Sequence, residues 1–261
     1  MALRSSSFQQ LPLDLPATPA LRREDYLGAP GNAAALSLID AFPQWPSRVV
    51  CLVGPEGAGK SHLATIFAEE AGAHVISARD LSRAQVPAAL ETGALVLEDL
   101  EAGGFDEAAL FHLLNLAREQ HAFVLMTART PPSGFALATA DLVSRLRAIP
   151  VFTIAPADDA LLGAVLVKLF ADRQLAVDGA TVNYILPRMQ RSVAGARRIV
   201  EALDAMALAR KRPVTRALAA QLLREQPELA AHLDDGEDEE DADGADEASD
   251  FSDNRGSHVP T

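Results

Sequence analysis

Cysteine is all but missing from this chain. Cys51 stands alone among 261 residues, which excludes an internal disulfide and a cysteine-built metal cluster. It reads as a small buried apolar residue. Long apolar runs are missing too: none approaches the ~18 residues of a membrane span, and the first residues lack the apolar core of a secretory signal. A bacterial-type cytoplasmic protein that avoids the membrane is the setting this predicts. The six histidines are scattered without the spacing of a metal site, and no segment repeats. Basic residues are scarce at the C-terminal end, where residues 234–261 hold twelve acidic side chains against one basic, Arg255. That stretch carries −11 of the net −13, so the body is close to neutral. Like charge with few large apolar residues does not collapse. Residues 233–261 are therefore expected to be a disordered acidic tail, either solubilising or offered to a basic surface.

What the chain does contain centres on Gly54-Pro55-Glu56-Gly57-Ala58-Gly59-Lys60-Ser61, which satisfies G-x-x-x-x-G-K-[ST] at every fixed position. The apolar run 49–53 precedes it and the helix-like stretch 60–68 follows, so strand, loop and helix stand in the order the motif needs. The alternative, a plain glycine turn that carries Lys-Ser, needs motif and context to coincide by accident. Glycines let backbone N–H groups curl round a phosphate, and the helix N-terminus adds its partial positive charge. Lys60 is placed to reach the β- and γ-phosphates and Ser61 to ligate Mg²⁺, so the expected ligand is ADP or ATP with Mg. Residues 95–99 form an apolar strand that ends in Glu98 and Asp99, the shape of the acidic strand that faces such a loop and completes the Mg site.

Further strands are expected at 74–76, 122–126 and 151–154, alternating with helices at 33–42 and 106–119. Buried strands alternating with helices imply a parallel sheet covered on both faces. Beyond Pro156 the strands stop, and helices at 158–173, 181–189, 193–210 and 215–224 make a small all-helical lid. The expected division is a flexible arm over 1–24, an α/β nucleotide-binding domain over 25–155, the helical lid over 156–232 and the tail over 233–261. Pro12, Pro16 and Pro19 keep regular structure out of the arm. Within it lies Gln10-Leu11-Pro12-Leu13-Asp14-Leu15. An extended peptide shows alternate side chains to one side, so Leu11, Leu13 and Leu15 would fill a partner's groove while Gln10 bonds at its rim. An ordinary arm is the plainer reading.

A phosphate loop, an acidic strand, a polar strand end and a helical lid, in that order, resemble the AAA+ ATPases and imply an AAA+ P-loop NTPase core. Within that superfamily, residues 25–223 are similar to the bacterial replication initiator DnaA and, more closely, to its short regulatory homologue of the Hda type. Gly59-Lys60-Ser61-His62-Leu63 continues the loop as these proteins do, which groups His62 with the nucleotide-binding loop; by itself it reads as a packing histidine. Thr127-Ala128-Arg129-Thr130-Pro131-Pro132 resembles their strand end and double proline. Asp141-Leu142-Val143-Ser144-Arg145-Leu146 is similar to the segment that bears the arginine finger. Gly195-Ala196-Arg197-Arg198 matches the second sensor, which implies that Arg197 faces the nucleotide. The arm's hexapeptide resembles the one by which bacterial proteins bind the DNA sliding clamp.

The resemblance implies a negative regulator of replication initiation. A nucleotide-bound chain would dock on the DNA polymerase sliding clamp (β subunit) through Gln10, Leu11, Leu13 and Leu15. It would present Arg145 in trans to ATP held by DnaA, at the nucleoid. Neither a C-terminal helix-turn-helix domain nor a basic recognition helix is expected after Pro156, hence no sequence-specific DNA binding of its own. A homodimer is allowed. The rivals are a self-contained AAA+ ATPase or loader, and a clamp-localised adaptor without a catalytic role. At single residues, Arg145 has the alternative of an ordinary surface arginine, and Arg197 that of pairing with Glu201 one turn on. Two departures from the family's wording stand out. Glu98 replaces the usual Asp, and Arg129 replaces the usual polar residue of the first sensor. Both predict weak or absent hydrolysis by the chain itself and tight holding of nucleotide.

Overall fold

The computed structural model describes residues 21–230. The clamp-like residues Gln10, Leu11, Leu13 and Leu15 and the acidic tail lie outside the described residues.

Five strands, β1 (Val49–Val53), β2 (His74–Ser77), β3 (Ala94–Glu98), β4 (Phe123–Ala128) and β5 (Val151–Thr153), form one sheet in the order β2-β3-β4-β1-β5. Every pairing is parallel, as the alternation of strands and helices predicts. The three central strands are apolar and buried almost throughout, while the edge strands β2 and β5 carry the exposed positions. Their side chains alternate between two layers. Cys51, Val53, Leu95, Leu97, Val124 and Met126 face a layer built on α4 (Glu107–Glu119) and α5 (Ala140–Ala148). Val50, Leu52, Val96 and Leu125 face one built on α1 (Ala33–Asp40) and α2 (Lys60–Ala71). A parallel strand buried on both faces needs apolar residues at every position, which is why these runs look continuous in sequence.

The helices α6 (Asp159–Asp172), α7 (Gly179–Ile185), α8 (Val193–Arg210) and α9 (Arg216–Glu225) close on their own core of Leu166, Phe170, Ile185, Ile199, Leu203 and Leu222. Each starts on a side-chain cap: Asp158, Asp178, Ser192 and Thr215 accept from amides of the first turn. Sheet and lid belong to one compact unit.

Some expectations on elements and their boundaries change. Residues 21–24, assigned to the arm, pack on the body: Arg23 pairs with Asp40 at 2.6 Å, and the Arg22 carbonyl accepts from His62. The acidic strand ends at Glu98, because Asp99 turns into the left-handed region at φ 57°. The short helix α3 (Val86–Ala89) and α5 were not anticipated; α3 has too few residues for a helical period to show.

Candidate nucleotide site

The sheet's C-terminal edge is where ligands bind in open parallel folds, and β1 delivers the glycine loop there. Gly57 sits at φ 73°, and a Cβ on it would come within 2.5 Å of Ser192 Cβ at the start of α8. Gly59 sits at φ 99° against the Tyr26 ring. Only residues without a side chain take this path. Gly59 also caps α2 with no side-chain hydrogen bond, so the first-turn amides face the loop's hollow.

Lys60 is buried and folds back over the loop, donating from Nζ to the carbonyls of Gly54 at 2.7 Å and Pro55 at 2.8 Å. Burial lowers its pKa first and the nearby Arg129 guanidinium second, while Asp99, Glu56 and Glu98 oppose the shift. Those three carboxylates are thus within electrostatic reach of the ammonium. Ser61 is exposed beside it, Glu98 is half-buried at the end of β3 and Asp99 is exposed. The Asp99 amide donates to Thr127 Oγ1 on β4 at 3.0 Å, which holds the turn after the acidic strand. No group of three or more His, Cys, Asp or Glu side chains is poised for a metal among the described residues. Ser61, Glu98 and Asp99 are hard oxygen donors of the kind that holds Mg²⁺ together with phosphate and water oxygens, so the donor set fits that ion.

A cavity of about 520 Å³ runs from the loop to the lid, lined by residues 57–62 of the loop and helix, by Tyr26 and Leu27, and by Val165, Leu169 and Arg197. It lies in the size range of small-molecule sites, with both apolar and charged side chains in its walls. Arg197 enters it from the first turns of α8. The local alternative is not realised, since Glu201 accepts from Arg173 at 3.1 Å. His62 is buried and donates from Nε2 to the Arg22 carbonyl at 2.9 Å, edge-on to Tyr26. Its pKa is lowered, by burial first, so the ring is a neutral packing group that pins the lead-in segment to α2.

Sequence reasoning missed Tyr26. Its hydroxyl is buried without a hydrogen-bond partner, while the nearby Asn32 amide bonds to Leu27 and Ala29. Burial pushes the phenol up to about 12. The signal available was Asp25-Tyr26-Leu27 at the head of the domain, which marks an approach to the body and not a pocket wall.

No protein-family model matches the sequence, and no curated protein matches it. Solved structures do match. Domain III of the replication initiation protein DnaA from Thermotoga maritima superposes with a TM-score of 0.66 at 18% identity, over 81% of this chain and 98% of that one. The fold is the AAA+ fold. A variant of RuvB from Thermotoga maritima gives 0.63 at 18% identity, over 78% and 72% of the two chains. AMPPCP-bound DnaA from Aquifex aeolicus gives 0.57 at 20% identity, over 74% and 68%.

Within the AAA+ fold, Arg145 stands apart from the loop. It lies on α5, half-buried, with its guanidinium 4.9 Å from the centre of the Phe111 ring, and it does not line the cavity. Arg147, two residues on and on a different face of α5, is exposed over a shallow groove with Leu137 and Val143. Arg129 follows β4 and is bound by Glu56 of the phosphate loop at 3.0 Å and by Glu101 at 3.2 Å.

Proposed function

We propose that the chain binds an adenine nucleotide with Mg²⁺ in this cavity and acts in replication control as a regulatory relative of DnaA. It docks on the DNA sliding clamp through Gln10, Leu11, Leu13 and Leu15 and stimulates hydrolysis of ATP held by DnaA, thereby restraining initiation. The observation that carries the reading is convergence. Lys60 and Ser61 of the loop and Arg197 of the lid line one cavity, with Glu98 and Asp99 acting electrostatically on Lys60, in a fold shared with DnaA domain III. Lys60 would leave the Gly54 and Pro55 carbonyls for phosphate oxygens, the α2 amides would cap the same group, and Arg197 would close the lid on it. Ser61, Glu98 and Asp99 would hold Mg²⁺, which would supply positive charge against the phosphates. AMPPCP on DnaA from Aquifex aeolicus supports a nucleotide as the ligand class. Arg145 is not among the residues that line the chain's own cavity, and Phe111 braces its guanidinium, which supports a group offered to a neighbour's nucleotide.

The test is single-turnover hydrolysis by ATP-loaded DnaA with clamp on DNA. Arg145→Ala is expected to keep clamp and nucleotide binding yet lose most of the stimulation, since a full arginine finger is worth about 10³ to 10⁵ in rate. Near wild-type rates would remove Arg145 from the role. Leu13→Ala with Leu15→Ala should abolish binding to immobilised clamp. A second reading, a self-contained AAA+ ATPase, draws on the RuvB likeness, whose TM-score of 0.63 nearly equals the 0.66 of DnaA domain III. Substantial ATPase activity of the isolated protein would favour it.

A further inference from the structure

Tyr184, near the C-terminal end of α7, carries two cations. Arg188 holds its guanidinium 4.2 Å from the ring centre and donates to the Tyr184 carbonyl at 3.0 Å, and Arg216, the first residue of α9, holds its own at 5.0 Å. The ring is half-buried and both arginines are exposed. Elsewhere in the lid Arg173, Arg191 and Arg210 pair with Glu201, Asp159 and Glu225, whereas neither Arg188 nor Arg216 has a carboxylate partner among the described residues.

An aromatic face favours each cation. It does nothing for their mutual repulsion, and Arg216 also stands at the positive end of the α9 dipole. Folding alone gains little from two unpaired charges placed in this way. An anion shared between them removes both penalties at once, since a guanidinium takes a carboxylate or phosphate through two parallel N–H donors.

The anion nearest in sequence is the chain's own. Residues 234–241 hold seven acidic side chains in eight positions. The described residues end at Ala230, which forms an antiparallel bridge with Met189, the neighbour of Arg188. In an antiparallel pair the residue after one partner lies opposite the residue before the other, so the bridge aims the chain at the Arg188 side. Asp234 stands four positions beyond Ala230, a reach of about 13 Å when extended. A tether that short supplies an effective concentration on the order of millimolar, enough to fill a site whose single ion pairs are weak.

We propose that Arg188 and Arg216, braced on Tyr184, are a docking site for an acidic peptide and that its occupant is the run 234–241 of this chain. The occupied site is closed to other polyanions, nucleic acid among them, so the acidic run guards the lid's unpaired cations. The proposal stands independently of the nucleotide reading, since Tyr184, Arg188 and Arg216 are not among the residues that line the cavity.

Fluorescence anisotropy with a labelled peptide of residues 232–243 tests it on the full chain. Wild-type protein, its site filled from within, is expected to bind the peptide poorly. A full chain with the seven acids of 234–241 changed to Asn or Gln should bind it about tenfold more tightly. Adding Arg188→Gln and Arg216→Gln should remove that gain. Binding should also weaken as NaCl rises from about 50 to about 500 mM. Arg212→Gln, which removes an exposed lid arginine not stacked on the ring, should change the affinity by less than about twofold. All these side chains lie outside the core, and an unchanged Tm shows that each variant folds. A neutralised chain that ignores the peptide, or holds it equally well without the two arginines, overturns the site. Equal binding by wild type and neutralised chain overturns the acidic run as its occupant. Labelled duplex DNA replaces the peptide in a second arm. DNA held through the same two arginines as tightly by wild type as by the neutralised chain would assign the site to nucleic acid instead.

Discussion

Lys168 donates to Asp25 at 2.7 Å and to Asp172 at 2.8 Å, so one ammonium ties the lead-in segment to lid helix α6 beside the cavity. The hydrogen bond from Lys168 is the main reason that the Asp25 carboxyl is held below its ordinary value of 3.8, and both carboxylates raise Lys168. A carboxyl depressed in the folded state stabilises above its unfolded pKa and loses that stability as pH falls through the folded one. Asp25→Asn is therefore expected to lower Tm at about pH 7, with the deficit closing as pH falls below the ordinary 3.8 and through the depressed folded value. Lys168, being raised, keeps its contribution into the alkaline range. His62, whose buried ring resists protonation, adds an acid loss to both proteins, and because Asp25 eases its protonation the difference in Tm reads Asp25 together with that coupling. A deficit of equal size from neutral to acid pH would mean that the pair does not titrate as its geometry requires. None of this is legible locally, because Asp25 and Lys168 are 143 positions apart. Where a local rule was available it misled: Arg197 and Glu201 have the spacing of a helical ion pair, and Arg173 takes the carboxylate instead.

Among the elements, the phosphate loop, the central strands and the lid helices were legible because each is written in consecutive residues: fixed glycines, unbroken apolar runs, helical stripes bounded by Gly and Pro. How the loop bears on the lid was not. Gly57 and Gly72 both lie in the left-handed region, at φ 73° and 61°, but only Gly57 is crowded, with Ser192 2.5 Å from where a Cβ would stand. Ser192 in turn caps α8 by accepting from the Gly195 amide at 2.9 Å. Gly72→Ala should cost about 1 kcal/mol, the left-handed penalty alone. Gly57→Ala should cost roughly 2–4 kcal/mol, since Ser192 must shift and the cap loosens. Urea unfolding of the two variants gives the comparison, and equal losses would show that the loop does not lean on the lid.

For the whole molecule, the cavity is lined from both the sheet and the lid, and the two lie in one compact unit. Nucleotide should therefore raise a single melting transition of the full chain, by the equivalent of about 2.7 kcal/mol at a hundredfold excess over Kd. A lid transition that melts apart and ignores nucleotide in the calorimeter would contradict that. The sequence by itself determined the α/β order, the phosphate loop and the helical lid, because hydrophobic period, glycine placement and capping act over a few residues and need no distant partner. Folding decided which of those pieces meet. Parallel pairing in the order β2-β3-β4-β1-β5 sets strand ends from four parts of the chain side by side, so Glu56, Arg129, Glu101 and Arg79 become one row of charges that no spacing in the sequence announces. The same closure buries the Tyr26 hydroxyl and brings Arg197 and Lys60 to one cavity. Contacts of this kind depend on which surfaces are buried together, and burial is a property of the packed chain that a run of residues does not carry alone.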